Sequence, residues 1–136
     1  MPNSATDRRA RFAHEPRTEQ EVVCLFTALL DEVGSELQFP CVIEAVRTPF
    51  PDCVIRHIET DERRFVEFEL EASDFLRHRN RPERCDVLVC WKDNWGDWAN
   101  MPDYFRVVEL AEIAKRFSSR SDGPSANIIA WSRRAN

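Results

Sequence analysis

Residues 65–71 decide the fold: they read Phe-Val-Glu-Phe-Glu-Leu-Glu, so acidic and apolar residues alternate. Side chains of a strand point alternately to its two faces, so Glu67 and Glu69 share one face and the intervening apolar side chains share the other. Glutamate is a poor strand former, and neighbouring carboxylates repel unless a cation lies among them. The pattern predicts either a divalent-cation site or a solvated acidic face of a surface strand.

The preceding segment supplies a third carboxylate. Residues 48–52, Thr-Pro-Phe-Pro-Asp, form a rigid turn that ends at Asp52, and the apolar run Cys-Val-Ile follows at residues 53–55. A hairpin over residues 53–71 would bring Asp52 close to Glu67 and Glu69. We expect their carboxylate oxygens to lie within about 8 Å of one another, close enough to share hydrated metal ions.

Hydrophobic periodicity predicts the remaining elements. A first helix over residues 18–33 carries an apolar stripe and a capping-box sequence, with Gly34 as its stop. Strands are predicted at residues 41–47, 53–58, 64–71, 86–91 and 104–109, with a short helix from Ser73 and a last helix over 110–117. The order α-β-β-β-α-β-β-α predicts an α/β protein with a mixed sheet of about four to five strands flanked by helices.

Length and composition set the domain organisation. With 136 residues, 43% of them hydrophobic, the chain can form one domain with a buried core. We expect a folded domain over residues 18–117, a flexible arm over 1–17 and a flexible tail over 118–136, since both ends are polar. No run is long enough for a membrane span and the start of the chain lacks an apolar signal segment, so a cytoplasmic protein without a membrane partner is expected.

The charge balance restricts how the chain can bind nucleic acid. A net charge of −5 argues against strong non-specific binding to phosphates, but not against an enzyme with a local basic rim. All basic residues except Lys92 and Lys115 are arginine, which suits bidentate phosphate contacts. The densest basic cluster follows the acidic strand and is the predicted nucleic-acid-binding rim: Arg77, His78, Arg79, Arg81 and Arg84.

The cysteines and tryptophans each allow two interpretations. The five cysteines fit buried reduced thiols, while zinc, the alternative, would favour a C-x-x-C pair that the sequence lacks. Trp91, Trp95 and Trp98 lie close together in the sequence. They could close one end of the core or stack on exposed bases, and core packing is the more common role of such a cluster.

The order of these motifs resembles the PD-(D/E)XK nuclease superfamily, which has the restriction-endonuclease-like fold. Pro51-Asp52 matches its aspartate at the start of one strand, and Glu67-Phe68-Glu69 matches its acidic-x-lysine motif on the next. The lysine position holds Glu69, as in the E-x-E variant used by some restriction enzymes. The resemblance covers residues 18–117.

The resemblance implies a metal-dependent nuclease that hydrolyses phosphodiester bonds with Mg²⁺ or Mn²⁺. Asp52, Glu67 and Glu69 would be its catalytic residues, with Glu69 as a base toward the attacking water or as a further metal ligand. Asp52 and Glu67 would bind the metal together with an acidic residue of the first helix. Glu21 is the candidate there, although it could serve only as the capping-box glutamate, and Glu19 is the next candidate.

Two other function classes stay open from the sequence. A catalytically silent binding or assembly module on the same fold would fit the acidic charge and the missing lysine, and should bind divalent metal poorly. A purely structural α/β protein would leave the acidic strand solvated. For the nuclease, nucleic acid, with DNA first, is the expected partner, and the chain would work as a homodimer or as a subunit of a larger complex.

Overall fold

The computed structural model describes residues 13–47, 52–78 and 84–119. Its helices are α1 (Glu19–Ala28), α2 (Leu30–Leu37), α3 (Ala72–His78) and α4 (Leu110–Ser119). Its strands are β1 (Cys41–Val46), β2 (Cys53–His57), β3 (Arg63–Glu71), β4 (Val87–Lys92) and β5 (Arg106–Glu109). Most of the arm and tail expected at residues 1–17 and 118–136 lies outside the described residues.

The strands form a single sheet in the order of the chain, β1-β2-β3-β4-β5. Strands β1, β2 and β3 are antiparallel neighbours, whereas β3, β4 and β5 run parallel. The helix α3 connects β3 to its parallel neighbour β4, as a crossover connection must. The predicted mixed α/β sheet flanked by helices is therefore confirmed.

Two buried clusters cover the two faces of the sheet. The larger one packs α1, α2 and α4 against side chains such as Val66, Phe68 and Val89, and the ring of Phe26 meets Phe68 edge-on at 5.1 Å between centroids. The smaller one packs α3 against Leu88 and Cys90. The alternation of residues 65–71 thus places Val66 and Phe68 in the larger core, as predicted, because that face of β3 lies beneath α1.

The first helix differs from the prediction in two respects. Leu29, with φ −104° and ψ 20°, ends α1 and begins α2, so the expected helix over residues 18–33 is two helices. Gly34 lies inside α2 and is not its stop; the helix ends at Leu37, and Gln38 follows with a left-handed φ of 53°. Glycine suits residue 34 because a Cβ there would make a tight contact, 3.1 Å, with the carbonyl oxygen of Phe39.

The strand β3 extends past its antiparallel partner. The first residue of β2, Cys53, pairs with Val66, so the last five residues of β3 lie beyond the start of β2. On the other side β3 continues to pair with β4, where Glu69 lies opposite Cys90. This offset opens a notch in the sheet beside residues 67–71 of β3, which include Glu67 and Glu69 and lie beyond the end of the ladder with β2.

No helix among the described residues combines the length and the apolar character that crossing a membrane would require.

Candidate active site

Asp52 and β3 are joined at the notch by reciprocal hydrogen bonds. The Asp52 backbone N–H donates to Oε2 of Glu67 at 3.1 Å, and the Phe68 backbone N–H donates to Oδ2 of Asp52 at 3.2 Å. The carbonyl oxygen of Asp52 also accepts a bond from the Arg47 backbone N–H at 2.8 Å, which ties the end of β1 to the same point. Asp52 and Glu67 are therefore adjacent, as the predicted hairpin requires.

Glu69, two residues after Glu67 on β3, adds a third carboxyl to Asp52 and Glu67. Its side chain is buried, with 6% of the residue exposed, and its carboxyl is hydrogen bonded to that of Glu19 at the start of α1. The charges of Asp52 and Glu67 also act on Glu69. The structure thus brings together Asp52, Glu67 and Glu69 with Glu19, a group of carboxyls contributed by three elements of the fold.

Burial, together with the neighbouring carboxyls, raises the pKa of both glutamates of β3. Burial is the main reason that the pKa of Glu67 is raised to about 7, and the charge of Asp52 comes next. Burial also leads in raising the pKa of Glu69 to about 8, followed by the hydrogen bond with Glu19 and the charges of its acidic neighbours. Both side chains therefore bind protons far more tightly than ordinary glutamates do.

A cleft of about 440 Å³ opens onto this group. Its lining comes from the start of α1, the end of β1, the residue before β2 and the middle of β3. The described residues that line it are Glu19, Gln20, Val23, Val46, Arg47, Asp52 and Phe68. Two of the four carboxyls, those of Glu19 and Asp52, therefore face a space that a ligand can enter.

Glu21, the predicted metal ligand of the first helix, is engaged in capping. Its backbone N–H donates to Oγ1 of Thr18 at 3.1 Å, and its Oε1 accepts from the Arg17 backbone N–H at 2.8 Å. Its other oxygen lies 4.0 Å from Nε2 of His14. The structure therefore brings Glu19, and not Glu21, to the carboxyl group of β3, because residues two apart on a helix project in different directions.

The predicted nucleic-acid-binding rim is only partly within the described residues. Arg79, Arg81 and the side chain of His78 lie outside them. Arg77 forms an ion pair with Asp74. Arg84 forms one with Asp86 and also lies 4.5 Å from the ring centre of Tyr104.

The position of Arg84 is set by its ion pair with Asp86. Asp86 is 3% exposed, and its Oδ2 accepts the Phe65 backbone N–H at 2.8 Å. A carboxylate this deeply buried requires a partner of opposite charge, and Arg84 supplies it. Arg84 therefore has a structural role at the base of the basic loop.

The tryptophans divide between core and surface. Trp91 is buried in the larger cluster, and Trp98 packs with Phe75 and Phe105 in the smaller one. Trp95 is 49% exposed. Core packing thus accounts for Trp91 and Trp98, and Trp95 alone of the three has a widely exposed ring.

The cysteines are all free thiols, and three of them, Cys53, Cys85 and Cys90, are buried. Cys41 is half-buried and Cys24 is exposed, so the interpretation as buried thiols holds for only part of the set. Burial raises the pKa of Cys53 to about 12, which keeps that thiol protonated and unreactive.

The chemistry of the carboxyl group suits a hard divalent cation. Asp52, Glu67, Glu69 and Glu19 offer only oxygen donors, which Mg²⁺ and Mn²⁺ prefer. In the side-chain positions described, no set of three or more His, Cys, Asp or Glu residues forms a metal-binding arrangement. Burial and the charges of neighbouring carboxylates raise the pKa of Glu67 and Glu69, so protons or a cation would reduce the cost of bringing these carboxyls together.

Comparisons of the chain with protein-family models, with curated proteins and with solved structures find no match. The topology of the sheet and the carboxyl group at its notch are therefore the features from which a function is inferred.

Proposed function

We propose that the protein is a metal-dependent nuclease of the PD-(D/E)XK type, in its E-x-E variant, that hydrolyses phosphodiester bonds of nucleic acid. The observation that carries the proposal is the meeting of Asp52, Glu67 and Glu69 with Glu19 where β3 extends past β2. A group of half-buried and buried carboxyls on a cleft is costly for stability, and such a cost is typical of sites arranged for chemistry.

The topology supports a restriction-endonuclease-like core. An antiparallel β1-β2-β3 unit is followed by α3 and by β4 parallel to β3, after an initial helical segment. Asp52 directly precedes β2, and the Glu-x-Glu motif lies within β3, which are the positions that the resemblance requires. Glu19 of α1 takes the place that was expected for Glu21.

The roles of the residues follow from their positions. Asp52, Glu67 and Glu19 would hold Mg²⁺ or Mn²⁺, which supplies charge neutralisation at the phosphate and lowers the pKa of bound water. Glu69 is buried, and its carboxylate would accept a proton from the water that attacks the phosphorus once a bound cation has displaced the proton that its raised pKa retains. Asp52 additionally positions Glu67, because their hydrogen bond fixes the direction of the Glu67 carboxyl.

A cleavage assay tests this function directly. Linear, supercoiled and single-stranded nucleic acids, both DNA and RNA, are incubated with the protein in Mg²⁺, Mn²⁺ or EDTA. Wild type should cleave only with metal, and Asp52→Asn and Glu69→Gln should lose cleavage by at least about a hundredfold. Glu71→Gln is the matched control, since Glu71 is the exposed glutamate at the end of the same strand and should retain activity.

The catalytically silent binding module is the second candidate. It is favoured by the net charge of −5, by Glu69 in place of lysine, and by the use of Arg77 and Arg84 in internal ion pairs. The two candidates differ in metal binding. If millimolar Mn²⁺ neither binds to the protein nor raises its melting temperature, and no substrate is cut, the silent module replaces the nuclease.

A further inference from the structure

One cationic side chain is present among the described residues that line the cleft, that of Arg47. Arg47 directly follows β1, and its backbone N–H donates to the carbonyl oxygen of Asp52 at 2.8 Å. The base of this side chain is thereby fixed to the same residue that contacts Glu67. Its long, exposed side chain begins at the edge of the cleft, within reach of a ligand that approaches the carboxyls.

Several arginines outside the cleft form ion pairs away from it. Arg63 and Arg56 both pair with Glu44, at 2.8 Å and 3.3 Å, and Arg116 pairs with Glu36 at 2.6 Å. Arg64, Arg77 and Arg84 also form ion pairs away from the cleft, with Glu62, Asp74 and Asp86. None of these lines the cleft, so they cannot offset its negative charge at close range.

The charge of the cleft creates a need for a cation on its wall. A phosphodiester is an anion, and the carboxyls of Asp52 and Glu19 line the space that it would have to enter. A cationic side chain that binds the phosphate, while leaving the carboxyls free to bind metal, would therefore have to lie beside Asp52 and Glu19 on the cleft wall. Arginine at this position can donate two parallel hydrogen bonds to phosphate oxygens and stays charged at every working pH.

We propose that Arg47 is the phosphate-binding residue of this cleft and contacts a phosphate group of the substrate next to the carboxyl cluster. The assignment rests on the proposed nuclease function for its substrate class. It adds a specific basic residue to a site whose motif has a glutamate, Glu69, where a lysine is usual. It also places substrate contact at the end of β1, away from the basic cluster of residues 77–84.

Oligonucleotide binding and cleavage, measured for variants of Arg47, test the proposal. A fluorescent single-stranded oligonucleotide is titrated in EDTA by anisotropy, at several salt concentrations, and cleavage is followed with Mn²⁺. Arg47→Ala should raise Kd and KM by about ten- to hundredfold with a smaller effect on kcat, and should reduce the salt slope by about one. Arg47→Lys should recover part of the binding, because it keeps the charge but not the bidentate geometry.

Arg63→Ala is the matched control. Arg63 is an exposed arginine of the same sheet that pairs with Glu44 and does not line the cleft, so its loss should leave Kd, KM and the salt slope unchanged. Melting curves of every variant show whether the fold is retained, and Arg47→Gln provides a second neutral variant of similar length.

The outcomes separate this inference from the proposed function. If wild type cleaves and Arg47→Ala and Arg47→Gln match its Kd, KM and salt slope, the role of Arg47 is overturned and the nuclease stands. If wild type binds the oligonucleotide but never cleaves, the nuclease proposal fails, and weaker binding by the folded Arg47 variants still supports the phosphate contact. If wild type neither binds nor cleaves, both proposals are overturned.

Discussion

Asp52 and Glu67 hold each other across the notch: the backbone N–H of Asp52 donates to the Glu67 carboxyl, while the Asp52 carboxyl accepts the N–H of the next residue of β3. The hydrogen bond from the Asp52 backbone lowers the pKa of Glu67, but burial and the charge of Asp52 outweigh it, and the net effect is a pKa of about 7. The geometry therefore holds two acidic side chains together despite their repulsion, at a cost that bound protons or cations reduce.

The free energy of unfolding should depend on pH because the folded state disfavours the ionised form of Glu69. Its pKa is about 8 in the folded protein and about 4.3 in an unfolded chain, so the folded state binds the proton more tightly. Its contribution to stability is complete below the unfolded pKa and is lost as the pH rises through about 8. The free energy of unfolding of wild type should therefore fall between about pH 5 and pH 9, and that of Glu69→Gln should fall less.

Urea denaturation at both ends of this range measures the effect. Near pH 9 Glu69→Gln should be the more stable protein by about 1 kcal/mol, and the advantage should vanish near pH 5, where both side chains are neutral. Glu71→Gln, which changes an exposed glutamate, should follow wild type at every pH. Parallel pH profiles for wild type and Glu69→Gln would contradict the raised pKa.

Binding of a divalent cation should release protons from the same group. Glu67 and Glu69, with pKa values of about 7 and about 8, hold protons at neutral pH that a cation must displace. The apparent affinity for Mn²⁺ should therefore rise as the pH rises through this range. Calorimetry at one pH in buffers of different ionisation enthalpy counts the released protons, and Mn²⁺ binding without proton release would place the cation elsewhere.

The sequence predicted the parts of the site that depend on strand periodicity. Alternation assigned Glu67 and Glu69 to one face of β3, and the turn before residue 53 placed Asp52 beside them, because both inferences use short-range geometry. The tertiary packing of α1 could not be read in this way. The capping-box sequence did predict the start of α1, and Thr18 caps the Glu21 backbone N–H. Whether Glu19 or Glu21 meets β3 depends instead on how α1 packs against the sheet.

The interruption of the first helix was also beyond the sequence pattern. Residues 18–37 contain helix-forming residues on both sides of Leu29, so no local signal marks the end of α1 there. Gly34 misled the prediction because a glycine after an apolar stripe is usually a stop, whereas here it allows the close approach of the Phe39 carbonyl. Gln38 takes the left-handed conformation for which glycine would be the expected residue.

Gln38 therefore offers a simple test of the fold. With φ of 53°, Gln38 adopts a conformation that costs a non-glycine residue energy, so Gln38→Gly should stabilise the protein by about 0.5–1 kcal/mol. Glu36→Gly is the control, because the same change inside α2 should destabilise it by about 1 kcal/mol. Thermal or urea denaturation distinguishes the two, and a destabilising Gln38→Gly would argue against α2 ending at Leu37.

Arg84 should affect stability and not nucleic-acid binding. Its removal leaves the buried Asp86 carboxylate without this ion pair, so Arg84→Ala should lower the free energy of unfolding and the melting temperature. The salt dependence of oligonucleotide binding should be the same for Arg84→Ala as for wild type. Arg79→Ala combined with Arg81→Ala tests the remaining part of the predicted rim, and a reduced salt slope with Arg84→Ala alone would return that residue to the binding surface.

Substitutions of Asp52 separate its part in chemistry from its part in structure. Oδ2 of Asp52 accepts the Phe68 N–H at 3.2 Å, and the amide oxygen of asparagine can accept the same bond without a negative charge. Without metal, Asp52→Asn should therefore be as stable as wild type or slightly more stable, because it removes a charge that repels Glu67. Asp52→Ala removes the acceptor and should cost about 1–2 kcal/mol.

Metal should reverse this ranking. Millimolar Mn²⁺ should raise the melting temperature of wild type, since the cation binds only the folded arrangement, and should leave Asp52→Asn and Asp52→Ala unshifted. Cleavage should be lost in both variants, although only the alanine variant is destabilised without metal. Melting curves of the three proteins, each with and without Mn²⁺, distinguish the cases. A metal-induced shift that survives in Asp52→Asn would exclude Asp52 as a ligand, and a turn residue with a purely structural role would show no shift in any of the three.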